Sequence, residues 1–367
     1  MFSADDHKHM ALALRLAAQG LNSTDPNPRV GCVVVRDGVI VGRGWHRAAG
    51  EPHAEVHALE QAGEKARGAT VYVTLEPCSH YGRTPPCADA LINAGIARVV
   101  VAVQDPSPKV AGQGMARLQA AGVTVEYGLM QQQAVQLNPG FISRFSRGRS
   151  YVRAKLAMSL DGRTAMANGE SKWITSEAAR DDVQKLRACS SVIVTGIGTV
   201  LADNPRMNVR LNTDAKQPDR VVMDTNLRMP NDAAMFNQAG LTWLANNSRD
   251  ERIRSRLQQS GARLLDLPTN NGHIDLNALL TALCDLEYNE VLVEAGPTLS
   301  GAFMQAGLID ELIVYLAPHL MGDGGNPLMH LPGIESMKNR LALKMTELIQ
   351  VGDDLRLSYV LTDENVG

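Results

Sequence analysis

Cysteine is scarce in this sequence, whose 367 residues include five, an odd number. A disulfide framework pairs an even set of cysteines in a short secreted chain, so these five do not indicate one and a reducing compartment is expected. No segment is apolar for the roughly 20 residues that a membrane helix needs. The start also lacks a basic segment followed by an apolar one, as a secretory signal would have. The sequence therefore favours a cytoplasmic location.

A charge excess is also missing, because the formal net charge is only −3. Residues 1–145 carry 13 Lys and Arg against 12 Asp and Glu. A domain that grips nucleic acid needs a basic surface to neutralise phosphates. We therefore expect a small-molecule substrate, with no nucleic acid and no membrane as partner.

The length and the order of the predicted elements indicate two α/β domains. A chain of 367 residues exceeds one ordinary core, and the short basic segment Ser-Arg-Gly-Arg-Ser at 146–150 is the predicted linker, giving domains 1–145 and 146–367. Strands and helices alternate on both sides of it. The predicted strands are 32–35, 39–42, 70–76, 98–103, 123–127, 151–160, 191–195, 220–223, 241–245, 290–294, 311–316 and 355–361; the predicted helices are 5–19, 53–63, 87–95, 114–121, 176–188 and 251–259.

A candidate metal site comes from two fragments of the first half. His53-Ala-Glu55 opens a predicted helix, and Cys78 and Cys87 follow a predicted strand. One imidazole and two thiolates suit a tetrahedral zinc ion with an open fourth position, which can activate water. Glu55 is placed to shuttle protons without binding the metal. The pattern resembles that of the zinc deaminases, although eight residues separate Cys78 from Cys87 where most of those enzymes have two.

Two alternatives remain for these residues. The metal site could be a closed structural one, with His57 or His80 as a fourth ligand. The histidine and the two cysteines could also be unrelated core residues.

Two glycine-bearing turns in the second half are candidate phosphate sites. Gly196-Ile-Gly198-Thr199 follows a predicted strand but lacks the third glycine of a dinucleotide fingerprint. The turn that begins at Ala295 leads into a predicted helix, as phosphate-binding turns do. Ordinary tight turns would give the same patterns.

The motifs together resemble the family of bifunctional riboflavin-biosynthesis deaminase-reductases. They are Pro-Asn-Pro-Arg-Val-Gly at 26–31, His-Ala-Glu at 53–55, the segment 77–87, the segment 155–162 with its Ser-Leu-Asp-Gly ending, Ser-Lys-Trp-Ile-Thr at 171–175, and the segments 196–205 and 294–302. The resemblance spans almost the whole chain. It implies a cytidine-deaminase-like α/β/α sandwich followed by a dihydrofolate-reductase-like α/β domain.

The resemblance implies two consecutive reactions on one chain, one in each domain. The first domain would hydrolyse an exocyclic amine of a diaminopyrimidinone that carries a phosphoribosylamino group, using zinc bound by His53, Cys78 and Cys87 and the proton shuttle Glu55. The second domain would reduce the ribosyl group to ribityl with NADPH. The resemblance also places the deaminase substrate against Asn27, His46, His80 and Arg83, with Arg83 at its phosphate. A homo-oligomer, by default a dimer, is expected.

The same resemblance implies the binding residues of the reductase. The NADPH positions match Ala157, Trp173, Thr199, Asp203, Thr225, Gly296, Pro297, Thr298, Leu299, Ser300, Gly301 and Ala302. The substrate positions match Ser171, Arg187, Met207, Arg210 and Glu294, with Arg187 and Arg210 as phosphate ligands, and Lys155 is expected to assist at the substrate. Structural roles compete for three of these residues: Trp173 as a core aromatic, Asp203 as a helix cap, and Arg187 as a cation at a helix C-terminus.

Two other functions remain compatible with the residues alone. The chain could deaminate tRNA or a free nucleoside, with the second half as a recognition domain, although the neutral first half argues against RNA. It could also be a zinc-stabilised binding protein without catalysis.

Overall fold

The chain divides after Arg149 into two units, Met1–Arg149 and a second unit that begins at Ser150. The computed structural model describes residues 1–79, 85–108, 111–211 and 215–362. The predicted boundary after residue 145 lies inside the helix Pro139–Arg147, a few residues before this division.

The first unit contains a five-stranded sheet with helices on both faces. Its strands are β1 (Gly31–Arg36), β2 (Val39–Trp45), β3 (Thr70–Val73), β4 (Arg98–Val101) and β5 (Thr124–Tyr127), and its helices are α1 (Ala4–Ala17), α2 (Ala54–Ala62), α3 (Cys87–Asn93), α4 (Gln113–Ala120), α5 (Gln131–Leu137) and α6 (Pro139–Arg147). The strand order is β2-β1-β3-β4-β5. Strands β3, β4 and β5 are parallel, and β1 is antiparallel to both neighbours.

Successive side chains of β1 point to opposite faces of the sheet and pack in two separate hydrophobic cores. Cys32 and Val34 pack with α2, α3 and α4 on one face, and Val33 and Val35 pack with α1, α5 and α6 on the other. Side chains of a strand point alternately to opposite faces, so one apolar strand serves both layers. The result is an α/β/α sandwich.

Helix α2 lies directly on strand β2 because two glycines of that strand have no side chain. A Cβ atom on Gly42 would lie 2.1 Å from the carbonyl oxygen of Ala58, and one on Gly44 would lie 2.1 Å from that of Ala54. Helix α2 carries Glu55 in its first turn, and His53 is its N-cap residue. The two glycines therefore fix the position of both candidate site residues.

The second unit is built on a nine-stranded, mostly parallel sheet. Its strands are β6 (Tyr151–Ser159), β8 (Val192–Gly196), β9 (Asp219–Met223), β10 (Thr242–Asn246), β11 (Ala262–Asp266), β14 (Glu290–Val293), β15 (Glu311–Ala317), β17 (Leu343–Val351) and β18 (Asp354–Leu361), in the order β11-β10-β9-β8-β14-β6-β15-β18-β17. Two short two-stranded sheets add β7 (Arg163–Ala165) with β16 (Asn326–Pro327), which are distant in sequence, and the hairpin of β12 (Thr269–Asn270) with β13 (His273–Ile274). Strands β15, β18 and β17 pair antiparallel at one side.

Helices cover both faces of this second sheet. They are α7 (Glu177–Ala188), α8 (Ile197–Asp203), α9 (Glu251–Gln259), α10 (Leu276–Asp285) and α11 (Pro297–Gln305). Leu279 and Phe303, from α10 and α11, pack in one buried cluster with Val194 and Val293. Residues of α8 and α9 pack in another with Ile193 and Leu292, the neighbours of those two valines.

The α/β prediction is confirmed for both units, with local differences. Ser3 caps α1 through the predicted reciprocal hydrogen bonds with Asp6, and β15 pairs with β18. Strand β3 ends at Val73, before the predicted end at residue 76, and β4 ends at Val101 instead of residue 103. Both strands are shorter because the chain bends where the apolar run continues, which hydrophobicity alone does not reveal.

Within the four described ranges, no helix is long and apolar enough to cross a membrane.

We expect the substitution Gly44→Ala to destabilise the first unit by about 1–3 kcal/mol, because the added methyl group overlaps the backbone of α2. Denaturant unfolding of Gly44→Ala and of the wild type would measure this change in the free energy of unfolding. Arg43→Ala is the matched control, since Arg43 is exposed on the same strand, and its effect should stay within about 0.5 kcal/mol. Equal stability of Gly44→Ala and the wild type would mean that α2 can move away from β2 at no cost.

Candidate active sites

The three predicted zinc ligands of the first unit lie together. His53 Nδ1 is 3.2 Å from Cys87 Sγ and 3.6 Å from Cys78 Sγ. Zn–S bonds of about 2.3 Å and Zn–N bonds of about 2.0 Å in a tetrahedron place nitrogen and sulfur about 3.5 Å apart. The side chains therefore fit a zinc ion, and their chemistry is that of a zinc site.

Local backbone structure brings the two cysteines together although eight residues separate them. Cys87 is the first residue of α3, and its N–H donates to Cys78 Sγ at 3.3 Å. The N–H of Ala88 donates to the carbonyl oxygen of Cys78 at 3.2 Å. Hydrogen bonds from the Cys87 side chain and from His53 lower the pKa of Cys78 to about 4. The thiolate, which is the form that binds metal, is thus favoured.

Glu55 lies beside this cluster in the first turn of α2. Its side chain is buried, and burial raises its pKa to about 7, with the charge of Cys78 adding to the rise and that of His53 opposing it. A carboxyl group with a pKa near neutrality can both accept and return a proton. Glu55 does not belong to the group of potential ligands, which among the described residues consists of His53, Cys78 and Cys87.

His46 lies next to the candidate zinc ligand His53, and Asn27 lies next to His46. The His46 and His53 rings make an edge contact with centroids 5.4 Å apart. His46 Nδ1 is 3.2 Å from the carbonyl oxygen of Pro52, and Nε2 is 3.0 Å from Asn27 Nδ2. Nδ1–H therefore donates to the carbonyl and Nε2 accepts from the amide. Burial lowers the pKa of His46, which favours this neutral form.

Three further histidine and arginine predictions concern the first unit, and two of these residues lie outside the part of the chain that the structure describes. His80 and Arg83 lie outside the described residues. His57 is not among the clustered ligands in the described part of the chain, and its Nδ1 lies 3.9 Å from a carboxylate oxygen of Glu60.

Sequence reasoning overlooked Glu76, which organises the segment next to Cys78. Its buried carboxylate accepts backbone N–H groups of Asp105 at 3.2 Å, Gly112 at 2.9 Å, Gly114 at 2.9 Å and Met115 at 3.2 Å. These bonds connect the end of β3 to the start of α4. A carboxylate that ends an apolar run, directly before Pro-Cys, was the available signal.

A cavity of about 540 Å³ lies at the carboxyl ends of strands of the second sheet. Most of the predicted reductase residues line it: Lys155, Ala157, Ser171, Thr199, Asp203, Met207, Glu294, Gly296, Pro297, Thr298 and Leu299. A Cβ atom on Gly198 or Gly296 would meet nothing within 4 Å. The glycines therefore leave open space where a ligand can approach the backbone, as a dinucleotide cofactor requires.

A second cavity, also of about 540 Å³, contains two further predicted residues. Thr225 and Ala302 line it, and it shares Gly196, Gly198, Thr298 and Leu299 with the first cavity.

Five predicted residues line neither cavity. Trp173 is 69% exposed, with the Arg180 guanidinium 4.5 Å from its ring centre, so the competing role as a core aromatic is wrong. Ser300 is fully buried and donates to the carbonyl oxygen of Ala295 at 3.3 Å. A Cβ atom on Gly301 would lie 2.0 Å from the carbonyl oxygen of His330, so this glycine permits close packing of α11. Arg187 and Arg210 are the other two.

Arg187 is engaged by Glu294 in a paired contact. Its Nε donates to Glu294 Oε1 at 2.6 Å, its Nη2 to Oε2 at 2.8 Å, and its Nη1 to the carbonyl oxygen of Asn208 at 3.0 Å. Burial opposes ionisation of Glu294, but the charge and hydrogen bonds of Arg187 outweigh it and lower the pKa of this carboxyl. The guanidinium that was expected to face a phosphate thus faces a carboxylate.

Arg210 and Asp203 have different surroundings. Arg210 is exposed, and its Nη1 donates to Asn208 Oδ1 at 2.9 Å. Asp203 ends α8 and does not begin a helix, so the competing role as an N-cap is wrong. It pairs with Lys172 at 2.9 Å.

Family models match both units of the chain. The cytidine and deoxycytidylate deaminase zinc-binding region matches residues 3–103, and the RibD C-terminal domain matches residues 150–357. The first unit is thus a zinc-binding deaminase domain and the second a reductase domain of the kind found in riboflavin biosynthesis.

Full-length relatives and solved structures share both domains. The chain is 52% identical to the riboflavin biosynthesis protein RibD of Escherichia coli over 97% of this chain and 99% of that protein, and 46% identical to the Haemophilus influenzae protein over 98% of each chain. Acinetobacter baumannii RibD has 47% identity and a TM-score of 0.92, over 98% of this chain and 99% of that one. A deaminase/reductase of Thermotoga maritima has 29% identity and a TM-score of 0.86 with the same coverage.

The chain therefore belongs to the RibD family of bifunctional deaminase-reductases. This confirms the predicted fold classes of both domains, the two enzymatic activities, and the cofactors zinc and NADPH.

We expect Cys78→Ser to lose most of the bound zinc, because a hydroxyl group replaces a thiolate ligand. Metal analysis of the purified protein should give one zinc per wild-type chain and well below half of that for the variant. Cys284→Ser is the matched control, since it removes a cysteine from the other unit. Full zinc content in Cys78→Ser would exclude Cys78 as a ligand.

Proposed function

We propose that the first unit removes an amino group from a pyrimidine by hydrolysis, with His53, Cys78 and Cys87 as zinc ligands and Glu55 as the proton shuttle. The substrate would be 2,5-diamino-6-(5-phosphoribosylamino)pyrimidin-4-one. The proposal depends chiefly on one observation: a buried carboxyl group, with a raised pKa, lies beside three converging zinc-type ligands. The deaminase and reductase activities of the Thermotoga maritima relative support the choice of substrate.

Glu55 moves the protons in this reaction. Bound zinc supplies a Lewis acid that makes water more acidic. Glu55 takes a proton from the attacking water and gives it to the exocyclic nitrogen, so that the C–O bond forms, the C–N bond breaks and ammonia leaves. Neutral His46, fixed by the carbonyl of Pro52 and the amide of Asn27, lies between the metal ligands and the Asn27 side chain. We place Asn27, His46, His80 and Arg83 at the substrate.

The second unit would then reduce the ribosyl group of the deaminated product to ribityl. NADPH supplies the hydride. Lys155 and Glu294 reach the cavity from β6 and from the end of β14, and we place them with Ser171, Arg187, Met207 and Arg210 at the substrate. The cofactor would lie along the two glycine turns, against Ala157, Trp173, Thr199, Asp203, Thr225 and the segment Gly296, Pro297, Thr298, Leu299, Ser300, Gly301 and Ala302.

Within this set, Arg187 acts by holding Glu294. The paired contact between their side chains is buried, and removing one partner would leave the other charge uncompensated. Arg210 is the better candidate for the substrate phosphate, because its guanidinium is exposed next to this pair.

We also propose the division of labour at residue 145, with deamination in 1–145 and reduction in 146–367, and a cytoplasmic location. Two of the five cysteines must stay reduced to bind zinc, which favours a reducing compartment.

We expect Glu55→Gln to lower ammonia release by about 10²–10⁴-fold, because the amide cannot shuttle protons. Zinc content and unfolding should not change. With only the diaminopyrimidinone and NADPH supplied, the variant should not oxidise NADPH, and addition of the deaminated product should restore oxidation to the wild-type rate.

Glu60→Gln is the control for this experiment, because Glu60 is exposed on the same helix. Wild-type ammonia release in Glu55→Gln would remove Glu55 from the mechanism. Failure of the added product to support NADPH oxidation by the wild type would remove the reductase assignment instead.

We propose a homodimer that forms through the outer edge of the second sheet. Strand β17 ends the sheet and is exposed along nearly its whole length, with Met345 at 52% and Leu348 at 54% exposure. An edge strand has unpaired backbone groups, and a two-fold axis allows such a strand to contact its own copy.

We expect sedimentation analysis to find a wild-type dimer and a shift toward monomer in Leu348→Lys, because the lysine charge cannot be buried between two copies. Leu286→Lys makes the same change at a leucine that is 38% exposed elsewhere in this unit and should remain a dimer. A dimer that persists in Leu348→Lys would place the contact on another surface.

A further inference from the structure

The second cavity of the reductase unit lies beside the first, and most of the candidate substrate and cofactor residues line the first cavity. The two share Gly196, Gly198, Thr298 and Leu299. The two cavities therefore adjoin at the glycine turns after β8 and β14, and we refer to them together as one groove. A groove of this kind suits an extended cofactor, such as a dinucleotide, better than it suits a compact ligand.

The reaction fixes the direction in which NADPH lies along this groove. The nicotinamide ring must lie beside the substrate to transfer hydride, and the candidate substrate residues Lys155 and Glu294 line the first cavity. The diphosphate would lie at the shared glycines. The adenosine end then occupies the second cavity, a placement that rests on the proposed reductase function.

The walls of the second cavity fit an adenosine group. Met223, Ile274 and Leu276 give apolar surface for a planar base, and Thr225 and Asn226 give hydrogen-bonding groups for a ribose. Arg228 adds a permanent positive charge. Among the described residues that line this cavity, none carries a carboxylate, so an anion would meet no repulsion from its walls.

The backbone around Arg228 is fixed, whereas its side chain is exposed. Asp224 accepts the Met229 N–H with its carboxylate at 2.8 Å and the Leu227 N–H with its carbonyl at 3.0 Å, which closes the turn that carries Arg228. Among the described residues its guanidinium forms no hydrogen bond or ion pair; burial raises the pKa of Asp224, and the charge of Arg228 acts only to oppose that larger effect. Arg187, by contrast, is occupied by Glu294.

We propose that Arg228 binds the 2′-phosphate of NADPH and thereby gives the reductase its preference for NADPH over NADH. The 2′-phosphate is the group that distinguishes the two cofactors, and it belongs to the adenosine end. A guanidinium group pairs with two phosphate oxygens at once. Arg228 is therefore a specificity-determining residue that does not take part in the transfer of hydride.

Binding measurements on the full chain test this proposal without catalysis. The probes are NADPH with NADH, and adenosine 2′,5′-bisphosphate with adenosine 5′-monophosphate, each pair differing by the 2′-phosphate. We expect Arg228→Gln to weaken binding of the 2′-phosphorylated member by about 10- to 100-fold, the value of a charged hydrogen-bonded pair. Binding of the other member should change less than about twofold. Arg228→Lys, which retains the charge but not the fork, should lie between.

Arg256→Gln is the matched control, since Arg256 is exposed on α9 and lines neither cavity. Equal losses for both members of a pair, no loss for either, or a wild type that binds both members equally would each overturn the proposal. NADPH oxidation with the deaminated product is measured in parallel. If the wild type oxidises NADPH but Arg228→Gln prefers the 2′-phosphorylated ligands as strongly as the wild type does, the reductase function stands and the proposed role of Arg228 is wrong. If the wild type does not oxidise NADPH, the reductase function itself is wrong.

Discussion

Parallel pairing of strands determines where both candidate sites lie. Parallel neighbours end at the same edge of a sheet, so the turns that follow them meet there. Cys78 follows the carboxyl end of β3 in the first unit, and Gly196, Thr225 and Glu294 follow or end β8, β9 and β14 in the second. Residues far apart in sequence therefore contribute to one cavity, and apolar strand interiors are separated from the chemistry at their ends.

Close backbone contact adds the precision that strand pairing cannot give. Gly42 and Gly44 let α2 approach β2, and hydrogen bonds from α3 hold the sulfur and the carbonyl oxygen of Cys78. Glu76 holds the start of α4 through four backbone N–H groups. The candidate metal ligands are thus positioned by close contacts of the backbone.

The sequence was informative where a local pattern has a single physical cause. Capping of α1 by Ser3 and the three zinc-type ligands are such cases, because residue type and spacing determine them directly. Helices α5, α6, α8 and α10, strands β11 and β17, and the short strands β7, β12, β13 and β16 were not predicted. Helix α5 begins with three glutamines and buries only Ala134 among its described residues, and β17 is exposed on both faces, so neither has a hydrophobic period. Helix α10 did have a signal, since Asp275 caps it and Leu276, Leu279, Leu280 and Leu283 share one face.

Ion pairs between side chains that are distant in sequence could not be predicted from the sequence. Arg187 and Glu294 both belong to the predicted substrate residues, yet 107 positions separate them and nothing local shows that they neutralise each other. The position of Arg228 is a similar case, because an exposed arginine in a turn has no sequence feature that distinguishes it from a solvated one.

The long interval between Cys78 and Cys87 can change without changing the metal ligands. Its two ends are joined by hydrogen bonds of the Cys87 and Ala88 amides, so the geometry of the ligands does not depend on the residues between them. The two cysteines therefore need not be two residues apart for both sulfur atoms to reach one metal ion.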